Sequence, residues 1–287
     1  MHMNTIDKQL HDKIHESMLE MDPKHLLNNP RLKVLDMLSD FDIAGHVADI
    51  GCGSGYFGIG VAKAFYSVNK VDCIEASQIA VESVIPRNIK YFGLSSKVVA
   101  LEGTFDSLAS DTYDVIFAMG VLHHSQNLNR TIQSIFKALK PGGLIVAQEP
   151  AMPDTTSHEA YSEKYNIVEE RYGLRIRNGD RFDRFFRECE YKHCLISNRF
   201  DIHLCEDFNH SKQKISIVNN LIQHIKTIGI SKTLDKILSK LKGQKGGSEH
   251  SKQPPWGIKM KHMTKNLKHK LFIAKKSSSG EIYHHDC

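Results

Sequence analysis

Residues 47–62, Val-Ala-Asp-Ile-Gly-Cys-Gly-Ser-Gly-Tyr-Phe-Gly-Ile-Gly-Val-Ala, decide how this chain is read. The apolar run Val47–Ile50 has the length of a buried strand, and the apolar spacing from Tyr56 to Phe65 is that of a helix. Between them stand Gly51, Gly53 and Gly55, which allow a tight turn and a close approach of backbone to ligand. The helix that starts near Tyr56 directs unpaired N–H groups into the same space. A strand, glycine loop and helix in this order bind a nucleotide-type cofactor.

The glycines alone do not name that cofactor, because Gly53-Ser-Gly55-Tyr-Phe-Gly58 also satisfies the G-x-G-x-x-G pattern of dinucleotide folds. Asp49 separates the readings. Its carboxylate, two residues before the first glycine, is expected to face the ligand, where it would repel a pyrophosphate and attract an ammonium and a sulfonium. Asp49 to Gly55 resembles motif I of the class I S-adenosylmethionine-dependent methyltransferases, with its acidic-x-Gly-x-Gly-x-Gly pattern. The resemblance implies S-adenosyl-L-methionine as cofactor, held by Asp49, Gly51, Cys52, Gly53 and Gly55. Glu75, about 20 residues past the loop at the end of the second strand, suits the two ribose hydroxyls, with Ala76 beside it. After the third strand the family places Gly-Asp on the adenine amino group. Here Glu102-Gly103-Thr104-Phe105-Asp106 has Thr104 instead of that acid, which leaves the Thr104 hydroxyl, the backbone near Phe105 or a displaced Asp106 as adenine contacts, with Phe105 placed to stack or to pack in the core.

Tyr113 to His124 and Leu139-Lys-Pro-Gly-Gly-Leu-Ile-Val146 resemble the fourth strand, with Met119 on the cofactor, and the Lys-Pro-Gly-Gly turn of the small-molecule branch of the same family. Strand and helix patterns alternate along the core: strands Val47–Ile50, Lys70–Ile74, Lys97–Leu101, Tyr113–Ala118 and Leu144–Gln148, and helices Tyr56–Phe65, Ser77–Tyr91 and Leu128–Leu139. The expectation is an α/β, Rossmann-like class I methyltransferase fold, a seven-stranded and mostly parallel sheet with helical insertions. Residues 1–45 form an N-terminal helical cap, broken at Asn29-Pro30, and 46–150 the cofactor-binding core. Residues 151–205 form a helical substrate cover and the sixth strand, with Tyr191–Ser197 and Phe200–Leu204 read as extended. A lysine-rich helical insertion with a mobile loop follows at 206–266, then the last strand at 267–276 and a disordered tail at 277–287.

A chain of 287 residues with 40% hydrophobic content can bury a sizeable core. No apolar run reaches the length of a membrane span and the start has no signal-peptide pattern, so a cytoplasmic location is expected. Six scattered cysteines do not form a disulfide framework, and Cys189, His193, Cys194, His203 and Cys205 lack metal-ligand spacing, so no metal is assigned. Charge is divided unevenly. Residues 211–276 carry sixteen lysines against Asp235 and Glu249, a net of +14 in a chain of net +5. That segment invites an anionic partner, a phosphate group, an acidic membrane surface or nucleic acid, and its amphipathic helices could dock on anionic lipid at the inner face of the membrane or hold a phosphate-bearing substrate.

Methyl transfer from a sulfonium is an in-line displacement in which positioning supplies much of the rate, and a base is needed where an acceptor alcohol must lose its proton. His123 and His124, just past the fourth strand, are the candidate bases. Glu149 is a candidate for the substrate side, with a structural carboxylate paired to an arginine of the insertion as the other reading, and Tyr161 and Tyr165 are candidate substrate contacts. The acceptor is expected to be small or carrier-linked, a sugar hydroxyl of a surface-glycan precursor being favoured slightly. Nucleic-acid methylation, a non-catalytic cofactor-binding module and a dinucleotide oxidoreductase are the alternatives. The first is disfavoured because no base-reading motif accompanies the lysines.

Overall fold

In the computed structural model, which describes residues 12, 15–157, 185–208 and 267–277, the opening stretch folds into β1 (Gly45–Ile50), a glycine turn and α1 (Tyr56–Ala64). Then come β2 (Val68–Glu75), α2 (Ile85–Tyr91), β3 (Val98–Glu102), β4 (Tyr113–Met119), α3 (Leu128–Ala138) and β5 (Leu139–Met152). The two-residue β6 (Phe186–Arg187), α4 (Glu188–Ser197), β7 (Phe200–Asp207) and β8 (Lys268–Lys276) complete the described elements. The sheet order is β3-β2-β1-β4-β5-β8-β7, with β6 beside β5. Pairs from β3 to β5 are parallel and the two made by β8 are antiparallel. Seven strands of mostly parallel sheet are thus present, with the short β6 as an eighth.

Parallel strands are buried on both faces, so they read as continuous apolar runs. Val47, Asp49, Val71, Cys73, Val115, Phe117 and Val146 face α1 and the N-terminal segment, where Leu32, Leu35, Phe57 and Ile59 meet them. Ala48, Ile50, Ile116, Ala118, Ile145 and Ala147 face α3 and α4. In α3, Leu128, Ile132, Ile135 and Ala138 are buried at helical spacing, and Asn127 caps the helix by accepting from the Arg130 N–H at 3.0 Å.

Several expectations are revised. Tyr191–Ser197 is not extended but lies in α4, because Tyr191 and Leu195 are buried one turn apart and Glu188 pairs with Lys192 at 2.6 Å across the same turn. The helix expected over Ser77–Tyr91 opens into a π turn at Ala80–Val84. Pro86 lacks an N–H for the fourth residue before it, and the widened turn accommodates that loss. Of the helical span expected before the core, residues 12 and 15–18 are α-helical, and the rest forms 3-10 helices at Pro23–Asn28 and Pro30–Leu38, each opened by a proline and capped by Asp22 and Asn29, which accept the Lys24 and Arg31 N–H groups. β5 begins at Leu139, so the Lys-Pro-Gly-Gly segment joins the strand. Asp114 pins it, accepting from the Lys140 ammonium at 2.8 and 3.0 Å and from the His46 N–H at 2.7 Å. Of the residues assigned to the lysine-rich insertion, only Glu206, Asp207 and Phe208 are described, and the helices and mobile loop expected there lie outside the described residues.

Candidate cofactor and acceptor site

The C-terminal ends of β1, β2 and β4 meet at the glycine turn. Gly51, Gly53 and Gly55 have φ of +61°, +57° and +76°, a region that other residues enter only with strain. Gly51 also allows the loop after β4 to close over it, since a Cβ there would lie 2.1 Å from Val121 Cγ2. The N-terminal segment lies over the turn: a Cβ on Gly53 would stand 3.9 Å from His15 Nε2, and the Ser77 hydroxyl donates to Asp12 at 2.6 Å.

Asp49, expected to face the ligand, is enclosed at the end of β1. It is 1% exposed, and its Oδ2 accepts the Gly58 N–H at 2.8 Å, pinning α1 to β1. Gly58 makes that approach possible, since a Cβ there would stand 2.6 Å from Cys73 Sγ and 3.2 Å from Asp49 Oδ2. The other oxygen, Oδ1, is buried without a hydrogen-bond donor. Burial pushes the carboxyl up to about 7; the Gly58 N–H opposes the rise and the Glu75 charge adds to it. One oxygen of this acid therefore has no donor among the described residues.

Glu75 Oε2 accepts the Gly53 N–H at 2.8 Å, and Oε1 accepts the Ala76 N–H at 2.9 Å and more distantly that of Ser77. These bonds orient the side chain toward the turn, and a carboxylate has capacity for further donors. Cys52 is buried, and desolvation together with the neighbouring Cys73 thiol raises its pKa well above the ordinary thiol value, so it acts as a small apolar group in the loop. Thr104 is exposed; its N–H donates to Ser107 Oγ, whose hydroxyl donates back to the Thr104 carbonyl. Phe105 packs on the α3 face of the sheet, and Asp106 pairs with Arg130 at 3.5 Å.

Arg31 was not singled out from the sequence. Its side chain crosses from the N-terminal segment, donates to the Met119 carbonyl at 3.2 Å and lies flat against Gly120, where a Cβ would come within 3.0 Å of the guanidinium. Gly120, at φ +74°, is the residue that admits it. The buried Tyr56 hydroxyl and Glu149 are its electrostatic neighbours. The only advance signal was Asn29-Pro30-Arg31 at a break in the cap. A cation fixed beside Met119 and an acidic oxygen lacking a donor below the glycine turn are the complement of an α-amino acid, so the residues present fit the methionine part of S-adenosylmethionine.

Glu149 is corrected as a substrate contact. It is fully buried, with Oε1 accepting the Val121 and Leu122 N–H groups at 2.7 and 2.8 Å, and Oε2 paired with His123 Nδ1 at 2.8 Å and accepting the His123 N–H at 3.4 Å. It holds the loop after β4 and the His123 ring; of the insertion's arginines, one of which the other reading expected here, Arg171, Arg175, Arg177, Arg181 and Arg184 lie outside the described residues. His123, 6% exposed, stacks on Phe185 with ring centroids 5.5 Å apart, whereas His124 is only half-buried and packs on His123 at 4.1 Å. Tyr161 and Tyr165 lie outside the described residues. Among the described residues no group of three or more His, Cys, Asp or Glu is arranged to hold a metal, and no helix is long and apolar enough to cross a membrane.

A family model described as a methyltransferase domain matches residues 24–209. The chain is similar to the ubiquinone biosynthesis O-methyltransferase of Rickettsia conorii (strain ATCC VR-613 / Malish 7), 22% identical over 157 residues that cover 54% of this chain and 51% of that protein. It is also similar to the tRNA U34 carboxymethyltransferase of Desulfotalea psychrophila (strain LSv54 / DSM 12343), 27% identical over 133 residues, 43% of this chain and 38% of that one. The chain thus spans about half the length, or less, of these curated relatives. Among solved structures, geranyl diphosphate C-methyltransferase from Streptomyces coelicolor A3(2), in complex with Mg2+, geranyl diphosphate and S-adenosyl-L-homocysteine, aligns with a TM-score of 0.55 at 13% identity, over 85% of this chain and 78% of that one. The [4+2]-cyclase SpnF aligns with a TM-score of 0.55 at 19% identity, over 87% and 81%. At these identities the structural likenesses speak for the fold alone.

Proposed function

This chain belongs to the class I S-adenosylmethionine-dependent methyltransferases, and on that premise we propose that it transfers a methyl group to a hydroxyl of a small or carrier-linked acceptor. Two observations carry the cofactor end of the reading: the Asp49 Oδ1 without a donor among the described residues, at the end of β1, and the Arg31 guanidinium held at Met119, at the end of β4. Asp49 would take the cofactor's ammonium, Arg31 its carboxylate and Glu75 its ribose hydroxyls. When bound, S-adenosylmethionine supplies an already activated methyl group.

The chain's own residues then have to orient the acceptor, exclude water and remove a proton. His124 is the better placed of the two candidate bases, because it is only half-buried while His123 is buried between Glu149 and Phe185. Glu149 fixes the His123 ring, and His123 in turn supports His124 from beneath. The O-methyltransferase among the relatives favours an oxygen acceptor. A sugar hydroxyl finds no counterpart among the relatives named above, so the acceptor class is kept at hydroxylated small molecules. Contact of residues 211–276 with an anionic membrane rests on their lysine content, and sedimentation with anionic against neutral liposomes tests it.

Incubation of the full chain with methyl-labelled S-adenosylmethionine and a metabolite extract, with mass spectrometry of the labelled product, tests the whole reading. A labelled ether supports it. A label found only in RNA would favour a nucleic-acid acceptor, and binding without any labelled product would favour a non-catalytic module.

A further inference from the structure

The row of side chains at the C-terminal rim of the sheet continues past the cofactor residues. Met119 pairs in register with Gln148 on β5, and Gln148 with Leu271 on β8. Adjacent strands lie about 4.8 Å apart, so Gln148 stands one strand beyond Met119 on the side away from β1 and β2. By strand alternation it shares its face with Val146, and Val146, Phe117, Met119, Leu271 and Ile273 make the surroundings apolar.

An amide here is conspicuous because half of it is unsatisfied. Gln148 is 0% exposed; its Nε2 meets His269 Nδ1 at 2.8 Å, while its Oε1 is buried with no donor among the described residues. A leucine or methionine would fill an apolar niche without leaving an acceptor unpaired, and buried acceptors are left unpaired at a cost in stability. The backbone of His269 is held in turn, its carbonyl accepting the Phe208 N–H at 2.7 Å. The Gln148 carbonyl accepts the Gly120 N–H at 2.7 Å, which ties the same residue to the glycine against which Arg31 lies.

We propose that Gln148 is a specificity-determining residue for the methyl acceptor: its Oε1 accepts a hydrogen bond from an O–H of a hydroxylated acceptor, and the His269 contact orients the amide for that purpose. The proposal rests on the methyltransferase reading above, with the cofactor over β1, β2 and β4 and the acceptor approaching over β5. An amide oxygen is too weak a base to remove the proton, so Gln148 positions the hydroxyl and selects for it while another group takes the proton. Sites built to bond a hydroxyl reject analogues that lack it far more strongly than apolar pockets reject a change in size.

The test uses the full chain saturated with S-adenosylhomocysteine and matched probes: phenol against anisole, catechol against veratrole, and cyclohexanol against methoxycyclohexane. Binding is read by saturation-transfer NMR. At least one hydroxylated probe is expected to bind about tenfold or more tightly than its ether. In Gln148→Leu that preference should fall to about twofold or less, while calorimetry shows S-adenosylhomocysteine affinity unchanged. Ethers binding as well as their parent alcohols, no hydroxylated probe binding at all, or a preference that survives in Gln148→Leu would each overturn the assignment. Failure of the wild-type chain to bind S-adenosylhomocysteine would instead overturn the cofactor reading on which it stands. Gln148→Asn, which keeps an amide on a shorter arm, should fold like wild type and lose most of the preference, so that loss through misfolding is told apart from loss of the contact.

Discussion

Replacing Asp49 by asparagine should make the cofactor-free protein more stable at pH 8 and a poorer binder of S-adenosylhomocysteine, an opposition that follows from one buried oxygen. The amide keeps an acceptor for the Gly58 N–H and removes the charge that burial disfavours. A carboxyl moved from 3.8 to about 7 costs on the order of 4 kcal/mol in its charged form, which is a ceiling because local relaxation reduces it. The sign is set by which state holds the proton. Between about pH 4 and pH 7 the folded chain binds a proton that the unfolded chain has released, so wild-type stability falls as pH rises through that window and stays low above it. Asp49→Asn lacks this dependence. Thermal melts of both proteins without cofactor, at pH 5.5 and pH 8.5, should therefore diverge by several degrees at the higher pH. Binding reverses the order. An ammonium against Oδ1 favours the charged carboxylate, so wild-type affinity should rise by up to about tenfold per pH unit below pH 7, with a proton released on binding. The Asp49→Asn protein should bind about a hundredfold more weakly at pH 8, with no such pH dependence, because removal of one partner from a buried ion pair leaves the other unpaired. Calorimetry in two buffers of different ionisation enthalpy measures affinity and proton release together. Equal affinity of both proteins at pH 8, with no proton release by wild type at pH 6, would refute the placement of the ammonium at Asp49.

Other perturbations probe the remaining parts of the site. Arg31→Gln should weaken S-adenosylhomocysteine by about ten- to a hundredfold and leave methylthioadenosine, which lacks the carboxylate, nearly unaffected; equal losses for both ligands would argue against the carboxylate contact. Gly120→Ala forces a Cβ against the guanidinium at a left-handed position and should cost about 1–3 kcal/mol, with a weakened grip on the same ligand. Glu149→Gln turns one acceptor oxygen into a donor that faces another N–H, so the loop after β4 should loosen and stability fall by about 2–4 kcal/mol, read as a lower denaturant midpoint. At Glu188 burial alone would raise the pKa, but hydrogen bonds from Lys192 and Lys270 outweigh it and hold the acid at about 2. Its contribution is therefore complete above pH 4.5 and lost as pH falls toward 2, and Glu188→Gln should flatten the acid limb of the stability curve in that window.

Much of the frame was written locally. The run from Val47 to Ala62 specifies strand, turn and helix because burial, backbone freedom at glycine and helical spacing are properties of neighbours in sequence. The alternation from Tyr56 to Gln148 likewise specifies a parallel sheet, since every strand in it is flanked by a helix-length connection or a short return. Where β-forming residues sit at helical spacing, as Tyr191, Cys194 and Leu195 do, composition pointed the wrong way and burial at one-turn intervals decided for helix. A proline inside α2's approach was legible as a disturbance, though not as a π turn.

That Asp49, Glu75 and the three glycines share one loop region follows from the amino-acid order alone, because they are fixed by strand ends about 20 residues apart. What each carboxylate does depends on the assembled fold. Asp49 is sealed with one oxygen in reserve, Glu75 is oriented by backbone N–H groups, and Glu149 is consumed by the loop after β4, differences set by which distant donors the fold brings within 3 Å. Arg31 reaches Met119 across 88 positions of chain, and Gln148 meets His269 across 121. Contacts of that kind leave no local pattern, because hydrogen bonding depends on distance in space, and that distance is fixed only when the sheet has closed its core.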